Sequence, residues 1–125
     1  MKNQKSHTEE SDKTVKTEVL VESDTSWNGD PIPPYLPGRP RVTITKITVP
    51  PHTKSEWHKH SITHAGIILK GELVVHDDLG REVRLKEGDA VIETINRLHF
   101  GWNDTDKETV IYAFYASVNG VDNSE

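Results

Sequence analysis

The chain is 125 residues long, 33% hydrophobic and 28% charged, which describes one small domain with a real core and a generous polar surface. Its formal charge is −5 and its 15 Lys and Arg are spread rather than clustered, so a phosphate backbone finds little to hold; no apolar run approaches a membrane span, and neither nucleic acid nor membrane is an expected partner. The absence of cysteine removes disulfides, thiol catalysis and thiolate metal sites together, so any metal must be bound by nitrogen and oxygen.

In chain order, residues 1–14 hold Lys, Glu, Ser, Thr and Asn with almost nothing to bury and are expected to form a disordered tail. The opening MKNQKSHTEES lacks the apolar centre of a secretory signal, which makes a cytoplasmic location the expectation; a mature secreted or periplasmic form restarted with Met would look the same. Residues 15–40 read as an N-terminal arm. VKTEVLVES (15–23) has the composition of an edge strand, and the proline density of TSWNGDPIPPYLPGRP (25–40) excludes helix and central strand. The embedded Trp27, Ile32, Tyr35 and Leu36 suggest a loop clamped on the core, in which Trp27 and Tyr35 either pack in the ordinary way or cover the mouth of a cavity.

From Arg41 onward the text is almost wholly strands. RVTITKITV (41–49) ends at Pro50-Pro51; the histidine segment and IILKGELVVH (67–76) follow, and DDLG (77–80) turns the chain into EVRLK (82–86). After EGD come AVIETI (90–95), LHFGWN (98–103) and TVIYAFYASV (109–118), the last apolar on both faces and therefore expected at the centre of a sheet. Residues 119–125 read as a C-terminal tail. Many short strands separated by turn residues, with no convincing helix, predict an all-β antiparallel sandwich or barrel spanning 41–118.

The segment WHKHSITHAG (57–66) carries three of the seven histidines. In an extended chain His58, His60 and His64 share one parity and hence one face, whereas a helix would put His58 away from the other two; the β-branched Ile62, Thr63, Ile67 and Ile68 favour the strand. Three imidazoles on one side of a strand point to a metal site. Gly66, on the same parity, leaves space beneath it.

These residues and a second stretch, GDAVIETINRLHFGWN (88–103), resemble the two signature motifs of the cupin superfamily. The first motif, a glycine, an HxH pair, an acidic residue and a closing glycine, maps onto His52, His58 and His60, His64, and Gly71. The second, a glycine, a proline, a glycine, a histidine and an asparagine, maps onto Gly88, Thr94, Asn96, His99 and Asn103. Asn96 can replace a glycine because Asn tolerates positive φ. The departure at position 64 exchanges an anionic oxygen for a neutral nitrogen.

The resemblance implies a cupin-type antiparallel β-barrel or jelly roll in which His58, His60, His64 and His99 hold one divalent transition metal: Fe, Ni, Zn, Mn or Cu, which suit imidazole. It implies a small-molecule substrate and a homodimer paired through sheet edges, with strand 15–23 exchanged. The activity it suggests is a non-haem metal-dependent dioxygenase or related oxidoreductase acting on a chelating substrate. Alternatives are a non-catalytic ligand-binding or sensing module, and a Zn or Mn Lewis-acid isomerase or hydrolase. Glu93 interrupts an apolar strand and points either to water or into the cavity, where it would act as catalytic proton acceptor. His7, His52 and His76 are expected at the surface, Asn103 in the turn after its strand, and Trp57 and Trp102 on the outer face.

Overall fold

The computed structural model describes residues 13–124. Eight strands follow one another: β1 (Pro40–Val49), β2 (Thr53–Lys54), β3 (Thr63–Lys70), β4 (Glu72–Asp77), β5 (Glu82–Lys86), β6 (Ala90–Ile92), β7 (His99–Asn103) and β8 (Thr109–Val118). They form two antiparallel four-stranded sheets, β1-β8-β3-β6 and β2-β7-β4-β5, and no α-helix forms among the described residues. This is the expected all-β, cupin-type jelly roll.

Period-two alternation sets what each strand buries. Along β3, His64, Gly66 and Ile68 are buried while Thr63, Ala65 and Ile67 are only half-buried, so the strand carries a histidine into the same row as a core isoleucine. Between the sheets Ile68, Leu73, Val75, Leu85 and Val91 form the core, with Trp27, Val49, Val83 and Ile111 packed against it. Each such aliphatic side chain contributes about 1.5–3 kcal/mol. As expected, β8 lies centrally, between β1 and β3. Its outer face is nevertheless open: Tyr112 and Phe114 are exposed.

The turns explain the glycine positions. Gly71 joins β3 to β4 at φ 82°, where a Cβ would stand 2.6 Å from Glu108 O, so IILKGELVVH is two strands rather than one. His52 and Asn96 occupy two motif positions that resemblance gives to glycine, and both take positive φ, 53° and 60°. The turn through Asn96 shortens the neighbouring strands: AVIETI keeps strand geometry only to Ile92, and β7 starts at His99.

Four expectations are corrected. Residues 15–23 form no strand, since they make no ladder with any strand among the described residues, and Val15, Val19 and Leu20 stay exposed. The histidine segment is not one strand: His58 makes an isolated bridge with His99, residues 59–62 leave the ladder, and β3 begins only at Thr63. The C-terminal segment is tied down rather than frayed. Arg41 donates to Asn123 Oδ1 at 3.1 Å and to Val121 O, and Asn123 Nδ2 donates to Thr43 Oγ1 at 3.2 Å. Residues 1–12 of the expected tail lie outside the described residues. Finally, Tyr35 is 78% exposed and closes nothing.

The proline-rich loop itself is clamped as expected. Trp27 N donates to Ile92 O at 2.9 Å, Asn28 Nδ2 to Asp77 Oδ2 at 3.0 Å and Arg97 Nε to Asp30 Oδ2 at 2.6 Å.

Candidate metal centre

Four separate pieces of chain deliver the histidines. His58 and His99 meet across their bridge, with N–H···O bonds of 3.0 and 2.9 Å in the two directions. His60 sits in the turn, where its carbonyl accepts from Asn96 N at 2.6 Å, and His64 projects inward from β3. Ring centroids are 4.5 Å apart for His58 and His99, 5.1 Å for His58 and His60, and 3.9 Å for His60 and His64. Two ligand sets result, His58 with His60 and His99, and His64 with Glu93 and His99; within each, the ligand atoms lie within 4.8 Å of one another.

Backbone carbonyls fix the tautomers. A carbonyl only accepts, so the ring nitrogen beside it must carry the proton, and the lone pair falls on the other nitrogen. His58 Nδ1 donates to Glu56 O at 2.8 Å, His60 Nδ1 to Asn123 O at 2.6 Å and His99 Nδ1 to Arg97 O at 3.0 Å. Thr94 Oγ1 shares the His99 proton from 2.9 Å. Such carbonyl-oriented imidazoles are the arrangement a metal ligand requires. Burial is the main cause that drives His64 down to about 2 and His99 to about 4; the neighbouring imidazoles add to it, and at His99 the Arg97 carbonyl opposes it.

The buried polar atoms left without a hydrogen bond test the fit to a metal. They include His99 Nε2, His64 Nδ1 and Glu93 Oε1, all in this cluster. Buried donors and acceptors without partners are costly, and a cation among three electron-rich atoms would satisfy them together. The donor set therefore fits a divalent transition ion.

Glu93 points into the cavity. The residue is half-buried but its Oε1 is sealed from solvent, and burial pushes its carboxyl up to about 7, against a smaller downward pull from the Trp27 indole N–H, which faces it outside normal hydrogen-bond geometry. The cavity is about 300 Å³, lined by the histidines 58, 60 and 64, Glu93 and Tyr115 and otherwise mainly by aliphatic side chains. Tyr115 lies parallel to the His64 ring at 5.2 Å.

Residues 45–115 match the Cupin domain family. The chain belongs to the cupin family. Among solved structures similar to this cupin are a Cupin 2 conserved barrel domain protein from Salinispora arenicola CNS-205 (24% identity, 59% of this chain and 61% of that one, TM-score 0.54) and a cupin domain from Bordetella pertussis Tohama I (24%, 62% and 83%, TM-score 0.55). Oxalate oxidase in complex with the substrate analogue glycolate (20%, 61% and 42%, TM-score 0.55) and DMSP lyases (14%, 67% and 43%, TM-score 0.59) share the fold. This cupin spans only 61% of the Salinispora arenicola protein and 42% of the oxalate oxidase, and no curated protein matches it.

The other sequence-derived assignments sort as follows in the cupin structure. His52 is exposed and pairs with Asp106 at 2.6 Å. His76 is half-buried under Phe100, their rings stacked at 4.7 Å. Asn103 is fully buried and holds the turn, donating to Val49 O, Pro50 O and Lys107 O. Trp57 and Trp102 face outward, Trp57 against Phe100 and Trp102 beneath Lys54 Nζ. Two contributors escaped the sequence reading. Thr94 stood out only as a departure from the motif, and the Asn123 carbonyl left no sequence signal.

Proposed function

We propose that the protein is a metal-dependent oxidoreductase of the dioxygenase type, acting on a small organic substrate that chelates through two oxygens. The observation that carries this reading is the clustering of His58, His60, His64 and His99 with Glu93 beside one small cavity, where His64 Nδ1, His99 Nε2 and Glu93 Oε1 are buried without a hydrogen bond. These four residues would hold one divalent ion, Fe, Mn, Ni, Zn or Cu, which would supply Lewis acidity and, where redox-active, electrons for O₂ chemistry.

The chain's own residues would do the rest. Aliphatic walls exclude water and bind the substrate's carbon skeleton, the carbonyl-held rings keep their orientation, and Glu93 is placed to take a proton from the substrate. Oxalate oxidase, which shares the fold and has been captured with glycolate, supports an oxygen-rich, chelating substrate. The DMSP lyase neighbours support a second, non-redox reading in which the ion acts only as a Lewis acid.

Anaerobic, Fe(II)-loaded protein should consume O₂ when a chelating enol, diol or hydroxy acid is added. Turnover of such a compound without O₂ uptake would assign the non-redox route instead. Binding without turnover across the panel would leave a ligand-binding module.

A second copy of the chain is the partner we propose. Val42 and Ile44 on β1 (75% and 64% exposed) lie beside Phe114 and Tyr112 on the outer face of β8, and the unpaired apolar arm 15–23 leads to the same side. Light scattering should give twice the 14.1 kDa chain mass, and a monomer mass at micromolar concentration would contradict it.

A further inference from the structure

We infer that Glu93 is itself a metal ligand, supplying from β6 the carboxylate that the first histidine motif lacks at position 64. This deepens the proposed function and rests on its metal site: the carboxylate would help to hold the ion, and would be free to take a substrate proton only when not so engaged.

Three observations carry the inference. The first is register. β3 and β6 pair Ala65 with Ile92, and the ladder's next step places Glu93 opposite His64, their backbones joined by Glu93 N donating to His64 O at 3.1 Å. Directly opposed residues in an antiparallel pair project from the same face. The carboxylate has therefore moved by one cross-strand step while still facing the same cavity.

The second is the number of ions. Two ligand sets share His99, but Nδ1 of that ring is committed to Arg97 O, so only Nε2 can ligate. One nitrogen serves one ion, so two ions cannot fill the two sets at once, and both sets describe a single centre about His99 Nε2 that Glu93 borders.

The third is charge. Four neutral imidazoles would leave a divalent cation uncompensated among aliphatic side chains, which is costly. Glu93 is the acidic member of the ligand sets among the described residues, and its Oε1 is buried without a hydrogen bond.

The test is Mn(II) and Ni(II) affinity of purified, metal-stripped protein, measured by competition with a chromogenic chelator. Carboxylate suits Mn(II), whereas imidazole suits Ni(II). Glu93→Gln should weaken Mn(II) binding by about tenfold or more, and Ni(II) binding less. The double variant Glu93→Gln with His64→Glu should regain Mn(II) affinity. Equal Mn(II) affinity in Glu93→Gln and the parent overturns the inference but leaves the metal site standing. A parent that binds neither ion overturns the proposed function itself. Should Glu93→Gln fail to fold, Glu93→Ala titrated with and without formate decides in the same way: rescue by formate supports ligation, and tight binding that ignores formate contradicts it.

Discussion

Three imidazole protons in the cavity are placed by backbone carbonyls, those of Glu56, Asn123 and Arg97. His99 has a further support in Thr94, whose hydroxyl fills the position of the motif's proline and is fully buried at 2.9 Å from Nδ1. Thr94→Val keeps the shape and removes that contact. It should weaken Ni(II) binding by about tenfold through looser placement of the ring, read by chelator competition; unchanged affinity would show that the Arg97 carbonyl suffices. At this scale the histidines were legible because ligand spacing is a local pattern. Glu93 stood out as a candidate, but its face did not, because AVIETI is apolar on both parities and alternation alone cannot say which face a carboxylate takes. Nor could a sequence reveal that the carbonyl of Asn123 would meet His60, since every residue carries one.

Among the elements, the loop around Trp27 and the β4–β5 hairpin hold each other through Asp77. Its side chain is buried, which alone would raise its pKa, yet bonds from Asn28, the Arg81 guanidinium and the Leu79 and Arg81 backbone N–H groups bring it down to about 2. The folded value lies below the ordinary 3.8, so the ionised form stabilises the fold above pH about 4, and this contribution drains away as pH falls from about 4 to 2. Asp77→Asn should cost on the order of 2 kcal/mol at pH 7 in urea titration, and the gap to the parent should narrow near pH 2.5. An equal gap at both pH values would mean that the charge contributes nothing. The proline-rich loop was legible from its composition. The arm before it has the composition of an edge strand but pairs with no strand among the described residues, because composition signals a willingness to pair and pairing also needs a neighbour.

For the whole molecule, two motif spacings and a run of short strands were enough to anticipate the jelly roll, since both motifs bring distant histidines into one cluster. What they leave open is the chemistry, because one fold hosts many reactions and the site decides among them. Here the site consists of four imidazoles, three of them oriented by backbone carbonyls, with a buried carboxylate beside them and mainly aliphatic walls. The account depends on that cluster holding an ion. The most direct test is elemental mass spectrometry of the purified protein beside the His58→Ala and His99→Ala variants. The account expects close to one transition-metal ion per chain in the parent and little in either variant. Folded parent protein that carries no metal and cannot be loaded with Fe, Mn, Ni or Zn would contradict it.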